Sequence, residues 1–486
     1  MTLLDASRWS GQIFSSGWKA AHGGVRSVVE PATGDELERI GLADATDIAQ
    51  AAEAAAQAQH GWAEASFQER AAVLRRAGQL FEQHADEFIE WIVREAGGIP
   101  PKGQFEVGIA AEECYQAAAL PAHVLGAILP TTEARLSLAK RVPVGVVGVI
   151  SPFNFPLILG IRSVAPALAL GNAVLFKPDP RTAVCGGVSI MRVFEEAGLP
   201  PGLLQLLPGG AEAGEALVTH PLVRVISFTG STPAGRKVGE LAGRHLKRAH
   251  LELGGNSALL VLDDADVAKA ASAGAFGSFN HQGQICMTTG RHLVHDRIAD
   301  EYISVLADKA AHLPVGNPAK DPVALGPVID AHQRDRIHEL VTSSVAGGAR
   351  LRAGGTYEGL FYQATVLDQV QPATPAWSEE VFGPVAPVMR FSSDDEAVAL
   401  ASAGEYGLSL GIITRDPMRG LALAERIPTG IVHINDQTVN DEPAAPFGGV
   451  GASGTGSRFG GPDANIEAFT DTRWITMRGE VPPYPF

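Results

Sequence analysis

The sequence predicts an α/β fold built on parallel sheets, and three features carry that prediction. From Val142 onward, short apolar segments alternate with helical ones, the pattern of a parallel sheet covered by helices. Between Arg141 and Lys177 only Arg162 carries a charge, so the strands in that stretch are buried on both faces. A run so poor in charge could also be a membrane span, but Pro143, Pro152, Pro156 and Pro166 break any helix long enough to cross. Finally, 486 residues, of which 45% are hydrophobic, can bury sizeable cores in two or three domains.

Taken in order, residues 10–42 read as an N-terminal β arm with turns at His22-Gly23-Gly24 and at Ala32-Thr33-Gly34-Asp35. Residues 46–59 are an alanine-rich helix. A second helix over 66–96 opens on a capping box, Ser66 with Glu69, and stops at Gly97-Gly98. Residues 105–120 continue helical as a packing element. The alternating region then places strands at 144–150, 173–176, 205–207 and 223–228, with helices over 156–170 and 182–196. This is the architecture that binds nucleotides at strand C-termini. A second α/β block runs from Leu251 to about Asn435, with strands at 258–262, 291–295, 385–391 and 409–413.

The net charge of −16 excludes the basic face that nucleic acid or an anionic membrane surface would require. Three widely spaced cysteines, Cys114, Cys185 and Cys286, form neither a disulfide framework nor a metal cluster, which points to a reducing cytoplasm. Residues 1–10 lack the basic start and apolar run of a secretory signal.

The chemistry centres on residues 276–291, FGSFNHQGQICMTTGR. Cys286 lies there among glycines and small or amide side chains, a setting that leaves backbone N–H groups near the sulfur and favours its thiolate as a nucleophile. A lone cysteine is more often a small buried apolar residue. Upstream, Glu252 stands between two leucines in LELGGNS. It is either a strand-end surface group or a carboxyl whose raised pKa suits a general base. Lys177 closes the strand in AVLFKPDP, where it is a solvated lysine or a cation aimed into a nucleotide crevice. Gly230-Ser231-Thr232 sits between a strand and a helix start, where N–H groups suit a pyrophosphate.

Six ordered motifs, SPFNFPL, FKPDPRT, FTGSTPAG, LELGGNS, FNHQGQICMTTGR and EEVFGPV, resemble the NAD(P)-dependent aldehyde dehydrogenase superfamily, and the likeness runs from about residue 14 to residue 474. The stretches KPDPRTAVCGG and HINDQTVNDEPAAPFGGVGASG are most similar to the branch that oxidises aromatic aldehydes, the benzaldehyde and vanillin dehydrogenases.

The resemblance implies an aldehyde dehydrogenase-like fold. Residues 1–120 and 143–248 would form a Rossmann-type dinucleotide-binding domain, and 249–435 a catalytic domain. Residues 436–464 would return to the cofactor domain, and 121–142 with 465–486 would form a β oligomerisation arm that pairs a homodimer or homotetramer. It makes Cys286 the nucleophile, Asn154 the oxyanion donor alongside the Cys286 N–H, and Glu252 the base that activates water against a thioester. Glu252 also speaks against transfer of the acyl group to coenzyme A. Lys177 would hold the adenosine ribose, Gly230 and Ser231 the pyrophosphate, Glu380 the nicotinamide ribose, and Phe382 the ring site.

Many NAD-preferring relatives carry a glutamate three positions after the lysine. Pro180 stands there, followed by Arg181, so the barrier to a 2′-phosphate is missing and a guanidinium is at hand. NAD is expected, with NADP also accepted. Ile285 and Met287 flank the nucleophile, and Ile158, Ile161 and Val439 join them as walls of an apolar slot. Arg162 is either a structural ion pair or the cation for a polar substituent, as a semialdehyde-acid substrate would demand. The remaining alternatives are an aliphatic or semialdehyde dehydrogenase of the same mechanism, a thiol acyl-transfer enzyme, and a catalytically silent binding relative.

Overall fold

The computed structural model describes residues 2–486. Two seven-stranded sheets organise it. In the first, the strands run Arg248–Glu252, Val223–Thr229, Val146–Ile150, Ala173–Lys177, Leu204–Leu206, Gln12–Phe14 and Trp18–Ala20. The first five strands are parallel, and the N-terminal hairpin adds an antiparallel edge through Phe14 and Leu206. Every residue of Val146–Ile150 and Ala173–Lys177 is buried, as the scarcity of charge requires. Chain order reverses between Val146–Ile150 and Val223–Thr229, and a doubly wound sheet opens its ligand crevice at such a reversal, beyond the strand C-termini.

Register decides what meets there. Ile150 pairs with Lys177 and with Phe228, and Thr229 pairs with Glu252, so these strand ends share one edge of the sheet. The chain then crosses Gly254-Gly255 into the second sheet at Ser257–Val261. That sheet orders its strands Arg350–Ala353, Thr365–Asp368, Val385–Phe391, Thr289–His295, Ser257–Val261, Ser409–Ile413 and Ile431–Ile434, all parallel except the first. Cys286 and Glu380 each lie just ahead of one of two adjacent strands in it. The C-terminal edge of one sheet therefore faces the N-terminal edge of the other, with Glu252 on one side and Cys286 on the other.

Several helices depart from expectation for identifiable reasons. The Ser66–Glu69 capping box forms, but the helix it starts ends at Gln83, and a second helix, Ala85–Ala96, begins after His84. His84 leaves helical geometry at φ −113°, and the turn brings Phe88 onto Phe81 with ring centroids 5.2 Å apart. The following helix starts earlier than expected, at Pro100, because Pro100 and Pro101 occupy its first turn, where a missing N–H does no harm. The helix expected over 182–196 begins as a π turn, Val184–Val188, whose first N–H groups donate to the buried carboxylate of Glu95 at 3.0 and 2.6 Å. That carboxylate is pushed up to about 7, chiefly by burial.

A separate antiparallel sheet joins Gly126–Ile128, Leu136–Pro143 and Thr470–Met477. Its apolar side chains stay open to solvent: Ile128 is 77% exposed and Trp474 65%. Among the described residues no helix is long and apolar enough to cross a membrane, in line with the reading of 141–177 as buried strands.

Candidate active site

Cys286 is presented by a tightly determined turn. The helix Val267–Phe279 runs into Asn280–Gly283, where His281 and Gln282 adopt left-handed backbone at φ 48° and 56°. The Gln282 amide holds them there by donating to Gly97 O at 3.0 Å and Pro327 O at 2.8 Å. Gly283, at φ +64°, has no room for a side chain, since a Cβ would lie 2.0 Å from Gly383 O. Gln284 accepts from Ile329 N at 3.0 Å through its side chain and from Asn154 Nδ2 at 2.9 Å through its carbonyl. A Cβ at Gly255 would fall 2.3 Å from Cys286 O, so the Gly-Gly crossing lets the nucleophile turn approach the first sheet's edge.

The thiol is not the ready thiolate that its small, amide-rich neighbours suggest. Burial, with the carboxyls of Glu380 and Glu252 nearby, pushes it up to about 12. The resting sulfur is thus protonated, because a second negative charge in that enclosure is disfavoured.

Asn154 is equally fixed. Besides its bond to Gln284, its carbonyl accepts from Lys102 Nζ at 2.9 Å. Lys102 forms a buried ion pair with Glu106. Glu106 in turn accepts from Leu157 N at 3.0 Å and Ile158 N at 3.3 Å, the open N–H groups of the helix Pro156–Ala169. The pair anchors the turn carrying Asn154. Sequence reading missed it, although two opposite charges four apart on an otherwise packed helix were the available signal.

Glu252 is 3% exposed, and neither carboxylate oxygen has a hydrogen-bond partner among the described residues. Burial raises it well above the usual carboxyl range, against the opposing pull of Arg162 and Arg458. This agrees with a buried proton-holding group and not with a strand-end surface glutamate. Glu380 accepts from Gly255 N at 3.0 Å and is raised to about 7 by burial. Phe382, at φ 53°, meets Phe153 edge to face with centroids 5.9 Å apart.

Two cavities converge on this centre. The first, 390 Å³, holds Cys286 and Asn154 and is walled by Ile158, Ile285, Met287, Val439 and Phe447. The second, 490 Å³, lies at the reversal of the first sheet and is lined by Lys177, Pro180, Arg181, Gly230 and Ser231. Ser151, Pro152 and Phe153 line the second, while Asn154 and Phe155 line the first. One short connection thus forms a wall of both.

The fit of the second cavity to a dinucleotide rests on its position and donors. Lys177, buried, donates to Gly209 O at 2.7 Å beside Gly210 and Gly214, where backbone leaves space for a ligand. The helix Thr232–Arg244 starts at Ser231 with no side-chain cap on its N–H groups.

Three expectations need correction. Gly230 does not offer its N–H to a phosphate, because that group donates to Glu252 O at 3.0 Å. Arg181 is not a free guanidinium: it pairs with Asp179 at 2.8 Å and Asp330 at 2.7 Å and stacks on Phe153 at 4.3 Å. Asp179, whose carboxyl burial would raise but whose Arg181 hydrogen bonds hold it below the usual range, lines the same crevice. Ile161 is fully buried in the core beneath the first sheet and lines neither cavity. Arg162 does reach the first cavity, but paired with Asp441 and, at 3.5 Å, with Glu113.

Comparison with known proteins adds to this geometry. The family model described as "Aldehyde dehydrogenase family" matches residues 18–475. The chain is 68% identical over 486 residues to a vanillin dehydrogenase of Amycolatopsis sp., covering all of both chains. It is 52% identical to a benzaldehyde dehydrogenase [NAD(+)] of Pseudomonas putida, covering 98% of each. Its fold superposes with a TM-score of 0.94 on a salicylaldehyde dehydrogenase from Pseudomonas putida G7 complexed with salicylaldehyde, at 35% identity, over 98% of this chain and 99% of that one.

Proposed function

The chain belongs to the aldehyde dehydrogenase family, and from that premise we propose that it oxidises aromatic aldehydes of the benzaldehyde and vanillin type to their carboxylic acids, with NAD as cofactor. One observation carries the reading beyond family membership. The connection from Ser151 to Phe155 lines both the crevice of the parallel sheet and the apolar cavity that holds Cys286. An aldehyde bound at the sulfur and a dinucleotide bound at the strand ends would be separated by the thickness of one chain segment.

We assign the steps as follows. The Cys286 thiol loses its proton to solvent and the sulfur attacks the aldehyde carbon. Asn154 keeps one amide hydrogen on Gln284 O and turns the other to the oxyanion, together with the Cys286 N–H. Bound NAD would supply the hydride acceptor for collapse of the thiohemiacetal to a thioester. Lys177 and Ser231 would hold its adenosine and phosphate end, and Glu380 and Phe382 its reactive end. Glu252, in its ionised form, then removes a proton from the water that releases the acid. Its oxygens are uncommitted, so no hydrogen bond has to break first.

Asp179 and Arg181 are paired with each other in the crevice, so no free guanidinium favours a 2′-phosphate: NAD is the cofactor, and NADP is tolerated. Arg162 is neutralised, which disfavours a semialdehyde-acid substrate. The first sheet and its helices form the cofactor domain, and the second sheet the catalytic domain. The exposed apolar arm pairs subunits into a homodimer or homotetramer. Three free cysteines fit a reducing cytoplasm.

The test is NADH formation by purified protein with benzaldehyde and NAD. Cys286→Ala is expected to abolish it, and full activity in that variant would rule out the mechanism. No NADH from the unaltered chain with benzaldehyde or vanillin would remove the substrate class.

A further inference from the structure

The helix Pro156–Ala169 is buried along its whole length and carries one charge, Arg162. Ile158, one turn earlier, shares the cavity face with it. An unopposed guanidinium there would make the site a receptor for anions. Three contacts prevent this. Asp441 pairs with Arg162 Nη2, Glu113 stands 3.5 Å from its Nε, and the Phe447 ring lies against it at 4.6 Å. Asp441 comes from the connection after Ile431–Ile434, which also brings Val439 and Asn440 to the cavity wall.

The charges do not simply cancel. Arg162 supplies one positive charge and faces two carboxyls, of which Glu113 is raised to about 7 by burial, with Asp441 adding to the rise against the pull of Arg162. Near neutral pH the group therefore runs from neutral to a full negative charge. One oxygen of each carboxyl, Asp441 Oδ1 and Glu113 Oε1, has no hydrogen-bond partner among the described residues. The cluster is thus built for charge compensation more than for saturated hydrogen bonding.

We propose that Asp441 determines substrate charge: by masking Arg162 it admits uncharged aromatic aldehydes to the Cys286 cavity and turns away those bearing a carboxylate. This inference rests on the aldehyde oxidation proposed above. Removing the Asp441 charge shifts the cavity by one positive unit, which in a low-dielectric enclosure corresponds to a change of about tenfold to hundredfold in the relative use of anionic and neutral substrates.

The experiment compares kcat/KM for 4-carboxybenzaldehyde and 4-methylbenzaldehyde, matched in shape and different in charge, with NAD. The proteins are the unaltered full-length chain, Asp441→Asn, and the double variant Arg162→Met with Asp441→Asn. The carboxy-to-methyl ratio is expected to rise by about tenfold or more in Asp441→Asn and to fall back in the double variant. A ratio within about twofold of the unaltered chain overturns the proposal, as does a rise that survives removal of Arg162, which would mean a loosened wall instead of an unmasked charge.

Should Asp441→Asn fail to fold by circular dichroism, Glu113→Gln, assayed at about pH 8 to 8.5 where Glu113 is largely ionised, makes nearly the same change of charge from the helix Pro100–Ala119 and is expected to move the ratio the same way. No movement there is equally decisive against it. Oxidation of the methyl compound by the unaltered chain separates the two readings. If that is absent, the aldehyde reading fails and takes this inference with it; if present with an unmoved ratio, only the inference fails.

Discussion

Replacing Glu252 by glutamine tests the assigned base with little geometric disturbance. The side chain is closely confined, since a Cβ at Gly448 would lie 2.8 Å from Glu252 Oε1, and glutamine matches glutamate in volume. The catalytic loss is that of one general base, about 10²- to 10⁴-fold in the hydrolytic step, or about 3–5 kcal/mol of barrier. Thioester formation does not use this group, so Glu252→Gln should release about one NADH per active site in a burst and then turn over slowly. Rapid mixing with benzaldehyde and NAD reads both phases. An unchanged steady-state rate would remove Glu252 from its role, and loss of the burst along with turnover would place it in the first half of the reaction.

The same variant reports on stability. Glu252 holds its proton in the folded chain well above the usual value of 4.5, where an unfolded carboxyl is already ionised. The folded state therefore binds more protons, and this group's contribution to stability falls as pH rises above about 4.5 towards its folded pKa. Glu252→Gln removes that decline, so its denaturation midpoint should lose less than the unaltered chain's between pH 5 and pH 8. A parallel loss in both proteins would contradict the buried, proton-holding carboxyl.

Other outcomes follow from the same geometry. Asn154→Ala should lower kcat by about 10²- to 10³-fold, the range for one oxyanion donor, with KM little changed; a loss confined to KM would assign Asn154 to binding alone. In the absence of NAD, alkylation of Cys286 by iodoacetamide should accelerate about tenfold per pH unit from pH 7 to pH 9, because the thiol sits up at about 12, and a plateau below pH 9 would show a thiol much more acidic than this. Lys102→Met and Glu106→Gln should each destabilise the chain by about 3–5 kcal/mol, the usual effect of leaving one buried charge without its partner. The double variant should cost less than the sum, and additive losses in urea denaturation would mean the two do not act as a pair.

Much of this protein was legible in its sequence because the signals are local. Alternating apolar and helical segments, prolines inside a charge-poor stretch and the Ser66–Glu69 box act through near neighbours, and the strand at 385–391 and the strand at 409–413 occur at the bounds read for them. Cys286 and Asn154 were legible as motif residues, and they do share one cavity, with Glu252 across the facing sheet edge. Where the sequence reading went astray, a charge or donor had been considered apart from its partners. Arg181 was taken as free to meet a phosphate, yet its ion pair with Asp330 comes from 149 residues away. The Gly230 N–H is consumed by a neighbouring strand. The Cys286 thiol was judged by its flanking amides, although burial and two distant carboxyls dominate it.

The sequence by itself thus determined the sheets, the family and the identity of the reacting groups. Only the tertiary structure decided their protonation, which side chains line the cavity beside Cys286, and whether each charge is masked. The physical reason is that helices, strands and motifs depend on residues a few positions apart. The energy of a buried charge depends on what the fold brings within a few ångströms of it, and for Arg162 that deciding neighbour, Asp441, lies 279 positions along the chain.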